Sequence, residues 1–193
     1  LDLLRAKGIE PKLTDLANSP GAVAHPASRA GMVRIGGILY GLGRDVLPTA
    51  VDSPAIRPVM SLFTRLAQIK AVPAGTSIGY GRTFVTTRPS LIGTVPIGYH
   101  DGFPRALSNR GTAIVAGRPV PVAGRVSMDW VTLDLTEVPA AAIGDKVTLI
   151  GRDGDACILA EDVAEAAGTI SYEITCGIAA RVPRRFLRGD SGD

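Results

Sequence analysis

Apolar and polar positions follow two different patterns along this chain. In the opening LDLLRAKGIE, leucines cluster ahead of Gly8, which predicts the last turns of a helix stopping at that glycine. PKLTDLANS predicts a short strand running into a polar turn. MVRIGGILYGLG predicts another strand, with Val33 and Ile35 alternating with polar or turn-compatible positions and glycines crowding its exit. Strand, polar turn, helix and strand again form an α/β unit. Parallel strands need both faces covered, so this unit is expected to belong to a larger domain that the chain enters part-way through.

A proline-containing stretch from Val46 to Pro54 then predicts a connection between domains. Beyond it the pattern shortens. IRPVMSLFTRLAQIKAV, SIGYGRTFVTT, SLIGTVPIGY, GTAIVAGRPVPVAGRVS, DWVTLDLTEV and DKVTLIG are strand-like runs divided by PAG, SNRG, AGR and IGD turns, which predicts a mostly β domain. One helix is expected within it, LAEDVAEAAG at 159–168, built from helix formers and closed by a glycine. The end of the chain turns basic in RVPRRFLRGDSGD, with no apolar residue after Leu187. Residues 1–50 therefore read as the end of an α/β domain and residues 51–193 as a small β-rich domain.

Composition narrows the partners. The hydrophobic fraction of 46% supports a packed core, and an aromatic content of only 5% means that aliphatic side chains build it. A formal charge of +3 is spread over scattered arginines, so no concentrated basic surface points to nucleic acid. Apolar runs are far shorter than a membrane span, and no charged-then-apolar leader opens the sequence; a cytoplasmic location is the expectation. Cys157 and Cys176 lack CxxC spacing and read as free thiols, while His25 and His100 stand too far apart to suggest a metal site.

Several residues could carry chemistry. Ser19 follows the first strand and either caps a helix or donates its hydroxyl to a phosphate. Gly36 and Gly37 follow the next strand, where bare backbone amides can approach an anion. Arg34 lies inside an apolar strand, so it either pairs with a carboxylate such as Asp15 or faces a cofactor. Tyr80 sits between glycines in IGYGRTF. It is either a turn residue or a proton-transfer group, the latter only where positive charge or a hydrogen bond favours its phenolate. Tyr99 and Tyr172 are similarly ambiguous, each more often a core-edge aromatic than a site residue. GRVSMD gathers Arg125, Ser127, Met128 and Asp129 around a bend, with Met128 a core candidate and Asp129 a capping or pairing one.

Taken together, LANSP, MVRIGGILYGL, IGYGRTF, TVPIGYHDGFPRAL, GRVSMDW and ISYEITCGIAARVPR resemble, in order and spacing, the alanine racemases, pyridoxal-phosphate enzymes of fold type III. The resemblance implies the end of a TIM-type α/β barrel followed by the β domain, working as a head-to-tail homodimer. It further implies pyridoxal 5'-phosphate held by Ser19, the backbone at Gly36 and Gly37, and Tyr172, with Arg34 facing the pyridine nitrogen. By the same resemblance Tyr80 is the base on the L-alanine face, reaching into the partner subunit's barrel, and Tyr99 and the Met128 backbone line the substrate side. The implied activity is interconversion of L- and D-alanine by two-base proton transfer, supplying D-alanine for peptidoglycan.

The family's cofactor lysine lies in a motif resembling VVKANAYGHG near the start of the barrel, and no such motif occurs here. Lys7, Lys12, Lys70 and Lys146 have other contexts, so this chain by itself is expected to be inactive and to need an N-terminal barrel segment. Asp15 stands where many relatives have histidine, Gly37 where an aliphatic residue is common, and His100 and Trp130 where alanine and glutamine are frequent. A racemase for serine or another small amino acid, or a non-catalytic interaction module derived from the fold, are the alternatives.

Overall fold

A computed structural model describes residues 1–48 and 55–187. The stretch read as an interdomain connection falls largely outside the described residues, as does the end of the basic C-terminal segment. The chain divides into two compact units, Leu1–Val59 and Met60–Asp193.

In the first unit, helix α1 (Asp2–Ala6) ends as expected: Gly8 takes a left-handed conformation, and its N–H and that of Ile9 donate to the Arg5 and Leu4 carbonyls. Strand β1 (Asp15–Asn18), helix α2 (Ser19–Ala24) and strand β2 (Met32–Arg34) form the expected β–α–β unit, with β1 and β2 parallel and Asn18 opposite Arg34. Ala17 and Ala22 are buried between these elements, but Leu16, Leu39 and Tyr40 stay exposed. A two-stranded parallel sheet closes no barrel, so the expected barrel end is present only as this single unit among the described residues.

The second unit is mostly β, as its short alternating runs predict. Strands β3 (Leu62–Arg65) and β4 (Gln68–Val72) share the run at 56–72. Then come the ribbon β5 (Ser77–Ile78) and β6 (Phe84–Val85), strand β7 (Ser90–Val95), the hairpin β8 (Thr112–Val115) and β9 (Arg118–Pro121), β10 (Val131–Asp134), β11 (Lys146–Asp153) and β12 (Ala156–Ile158). A three-stranded antiparallel sheet orders β10-β7-β4, and a five-stranded one orders β12-β11-β8-β9 with β3 also on β11. Every second residue faces inward along β10, where Val131 and Leu133 are buried beside half-buried Thr132 and Asp134. With Val95, Ile114, Val115, Leu135, Val147 and Leu149 they make an almost wholly aliphatic core.

Helix α3 (Ala160–Ala167) matches the expected segment, with left-handed Gly168 closing it and Asp162 Oδ2 accepting the Leu159 N–H at 2.7 Å. A further helix, α4 (Ser171–Gly177), was not apparent from its sequence. ISYEITC is rich in β-branched and aromatic residues, whose helix propensity is low. Burial of Ile174 against α3 overrides that local preference.

Candidate functional site

In the first unit the carboxyl ends of both parallel strands lead into the candidate residues, the position where open α/β sheets gather ligands. Asn18 caps α2, its Oδ1 accepting the Gly21 N–H at 3.1 Å. The capping task therefore belongs to Asn18 and not to Ser19. Ser19 is buried, and its Oγ accepts the Gly36 N–H at 2.9 Å. Its own O–H has no acceptor among the described residues. Gly37 is buried at the start of a 3-10 turn, Gly37–Tyr40; the Leu39 N–H donates to the Gly36 carbonyl at 3.0 Å, while the Gly37 N–H has no acceptor among the described residues. A Cβ placed on Gly36 would meet nothing within 4 Å, so the space beside this backbone is open. Gly36 has its amide engaged by Ser19, which leaves the Ser19 proton and the Gly37 amide as donors.

Arg34, at the end of β2, pairs with Asp15 through Nη1–Oδ2 at 2.5 Å. The hydrogen bond and then the charge of Asp15 raise its pKa further above the ordinary arginine value, so the guanidinium stays cationic. With five N–H donors, it keeps capacity for another acceptor. Asp15 Oδ1, by contrast, is buried with no hydrogen-bond partner.

The second unit brings Tyr99 and Met128 together through their backbones. Gly98 approaches the 127–128 segment so closely that a Cβ there would lie 2.3 Å from the carbonyl oxygens of both Ser127 and Met128. Tyr99 and His100 donate their N–H groups to those same carbonyls, each at 3.0 Å. Asp101 fixes the Tyr99 turn, its Oδ2 accepting the Gly98 N–H at 2.9 Å. Arg181 then joins the turn to the Met128 segment, donating from Nε to Asp101 at 2.7 Å and from Nη2 to Asp129 at 2.5 Å. Those two hydrogen bonds, Asp101 first, raise the Arg181 pKa. The Tyr99 and Met128 side chains are both half-exposed, and the Met128 N–H has no acceptor among the described residues.

Tyr80 occupies the tip of the β5–β6 ribbon and is 74% exposed. Tyr172 lies in the first turn of α4 and is partly exposed. Thus Ser19, Arg34, Gly36 and Gly37 gather in the first unit, Tyr99 and Met128 adjoin in the second, and Tyr80 and Tyr172 stand on separate elements of the second. Asp129 was expected to cap or pair, and its partner is Arg181. No sequence signal pointed to Arg181 itself, because its carboxylates lie 80 and 52 positions away in the chain. No group of three or more metal-ligating side chains forms among the described residues. No helix among them is long and apolar enough to cross a membrane.

Residues 59–186 match the family profile described as alanine racemase, C-terminal domain. The alanine racemase of Halothermothrix orenii is 45% identical over 188 residues, covering 96% of this chain and 48% of the relative. That of Geobacter sp. strain M21 is 46% identical over 189 residues, covering 96% and 48%. Among solved structures, the alanine racemase from Bacillus anthracis with bound L-Ala-P superposes with a TM-score of 0.87 at 40% identity, over 97% of this chain and 48% of that one. The Bartonella henselae alanine racemase with covalently bound pyridoxal phosphate superposes with a TM-score of 0.84 at 31% identity, over 94% and 49%. The chain spans about half the length of the curated relatives it matches.

Proposed function

Because this chain belongs to the alanine racemase family, we propose that it supplies the C-terminal half of a pyridoxal-phosphate-dependent enzyme that interconverts L- and D-alanine. The observation that carries this reading is the buried Ser19 hydroxyl, which accepts the Gly36 N–H and retains its own proton for an anion. With the Gly37 amide it makes a donor set suited to a phosphate group, and the open space at Gly36 admits one. The Tyr172 hydroxyl is the further donor that the family pattern assigns to that phosphate.

Pyridoxal 5'-phosphate, when bound, acidifies the α-hydrogen of an amino acid by drawing electron density into its ring. Arg34 can only donate hydrogen bonds, so facing the ring nitrogen it would keep that nitrogen an acceptor. Its pairing with Asp15 holds the guanidinium in one orientation for the task. Tyr80 holds or removes a proton at its phenolic oxygen, on the face from which L-alanine would lose its α-hydrogen. Its exposure at a ribbon tip suits a residue delivered to another subunit's barrel, so a two-fold pairing is part of this reading. Met128 offers its free amide to the substrate carboxylate, and Tyr99, fixed to the same segment, borders it. The proton-transfer group of the opposite face and the cofactor lysine would come from the barrel segment outside this sequence. This chain alone is accordingly expected to be inactive.

The test is an assay of the full-length protein with pyridoxal phosphate and L-alanine, with D-alanine followed by chiral chromatography and L-serine run alongside. D-alanine formation lost in Tyr80→Phe is the expected result. Failure to form any D-alanine with saturating cofactor would overturn the reading, and preferential turnover of serine would reassign the substrate.

A further inference from the structure

The ribbon that presents Tyr80 is anchored at its base, where Ile78 is buried with Val72 and Ile92, Phe84 packs against them and Thr86 bonds to Pro73 and Thr76, but its tip is held by far less. Its strands pair only Ser77 with Val85 and Ile78 with Phe84, and a ribbon this short is not stable alone. The tip bends through positive φ at Gly79, Gly81 and Arg82, of which Arg82 carries a side chain into the left-handed region that disfavours it. The Tyr80 ring, three-quarters exposed, receives no burial that would fix it.

What the tip rests on is the Gly124–Arg125 segment. A Cβ on Gly79 would lie 3.3 Å from the Arg125 nitrogen, and one on Gly124 would lie 2.8 Å from the Ile78 carbonyl oxygen. Asn109 ties these two strips together. Its Oδ1 accepts the Gly124 N–H at 2.6 Å, its own N–H donates to the Gly124 carbonyl at 3.1 Å, and its Nδ2 donates to Thr83 Oγ1 at 3.0 Å. Thr83 directly follows the Tyr80–Arg82 turn. The Asn109–Thr83 bond is the only side-chain hydrogen bond reaching residues 79–84 among the described residues. Asn109 also has φ +57, a conformation that asparagine tolerates better than other side-chain-bearing residues.

We propose that Asn109 is the positioning residue for the Tyr80 phenol. It acts through Thr83 and Gly124 and touches neither substrate nor cofactor. The proposal rests on Tyr80 being the proton-transfer group on the L-alanine face. In this role Asn109 fixes where the phenolic oxygen stands relative to the α-hydrogen, and a displacement of about 1 Å at such a point costs up to about a hundredfold in rate.

The experiment uses the full-length holoenzyme with Asn109→Gly, which keeps the backbone conformation but removes both side-chain bonds, and Thr83→Val, which removes only the bridging hydroxyl. Asn109→Asp is the conservative rescue, since a carboxylate can accept from both Gly124 and the Thr83 O–H. For each, kcat, KM and the α-deuterium isotope effect are measured separately with L- and D-alanine. Asn109→Gly and Thr83→Val are expected to lower kcat about tenfold or more and to raise the isotope effect for L-alanine but not for D-alanine; Asn109→Asp should restore most of both. A merely structural role would lower the active fraction and leave the isotope effects unchanged, and that result overturns the proposal. Should Asn109→Gly fail to fold, Thr83→Val decides by the same readout. Tyr80→Phe separates the premises: if it leaves both isotope effects and kcat intact, the assignment of Tyr80 fails. If it abolishes turnover while Asn109→Gly and Thr83→Val behave as wild type, only the positioning role fails.

Discussion

The Ser19 hydroxyl accepts the Gly36 N–H at 2.9 Å, which joins the two strand exits of the β–α–β unit across 17 positions of sequence. One oxygen thus serves the fold by accepting and stays available to a ligand by donating. Ser19→Ala removes both functions. In the full-length protein it is expected to reduce stability by about 1 kcal/mol, the usual cost of a lost hydrogen bond, and to raise the dissociation constant for pyridoxal phosphate about tenfold. Cofactor titration by absorbance together with urea unfolding checks this. A stability loss with unchanged cofactor affinity would leave Ser19 a purely structural residue.

Arg181 holds Asp101 with one nitrogen and Asp129 with another, and so fixes the Tyr99 turn against the Met128 segment. Lysine, with a single ammonium on a flexible stem, cannot reproduce this two-armed contact. Arg181→Lys is therefore expected to raise KM for alanine about threefold or more while the melting temperature barely moves, because these are partly exposed ion pairs. High salt should bring the wild-type KM toward that of the variant, since exposed pairs are screened. Equal KM values at low salt would show that the clamp does not govern the substrate side.

Much of this arrangement is legible in the sequence, because local rules suffice for it. Gly8 and Gly168 mark helix ends, the alternating runs after Met60 become strands, and Asp15 is the partner of Arg34. Asn18 took the capping task because it precedes the first helical residue, a one-position distinction that composition cannot resolve. Helix α4 was hidden because ISYEITC carries strand-like propensity that burial of Ile174 overrides. Arg181 and Asn109 were hidden for another reason. Their partners are brought to them by the fold, and nothing at their own positions announces the pairing.

The close approach of Gly98 to the Ser127 and Met128 carbonyls makes it intolerant of a side chain. Even an alanine Cβ would stand 2.3 Å from two backbone oxygens, which cannot rotate away as a side chain could. Gly98→Ala is expected to destabilise the full-length protein by about 2 kcal/mol or more and to separate the Tyr99 turn from the Met128 segment. Urea unfolding gives the first, and amide exchange at Tyr99 and His100, whose N–H groups donate across the contact, gives the second. Unchanged protection at both amides would contradict the packing described.

Asp153, on β11, accepts from Lys146 Nζ at 2.8 Å and from the Gly117 N–H at 3.1 Å, so it links its strand to the β8–β9 turn. The Lys146 hydrogen bond first, then the Gly117 bond, holds its carboxyl below the ordinary aspartate value. A carboxylate whose folded pKa is depressed contributes stability that is fully present above its unfolded pKa, about 3.9, and is lost as pH falls through the lower folded value. Asp153→Asn removes the titrating group. The variant is expected to be less stable than wild type at pH 7, with the gap narrowing only below about pH 4. Urea midpoints for both proteins between pH 7 and pH 3 measure it. A gap that stays constant down to pH 3 would mean that Asp153 contributes through its shape and not through its charge.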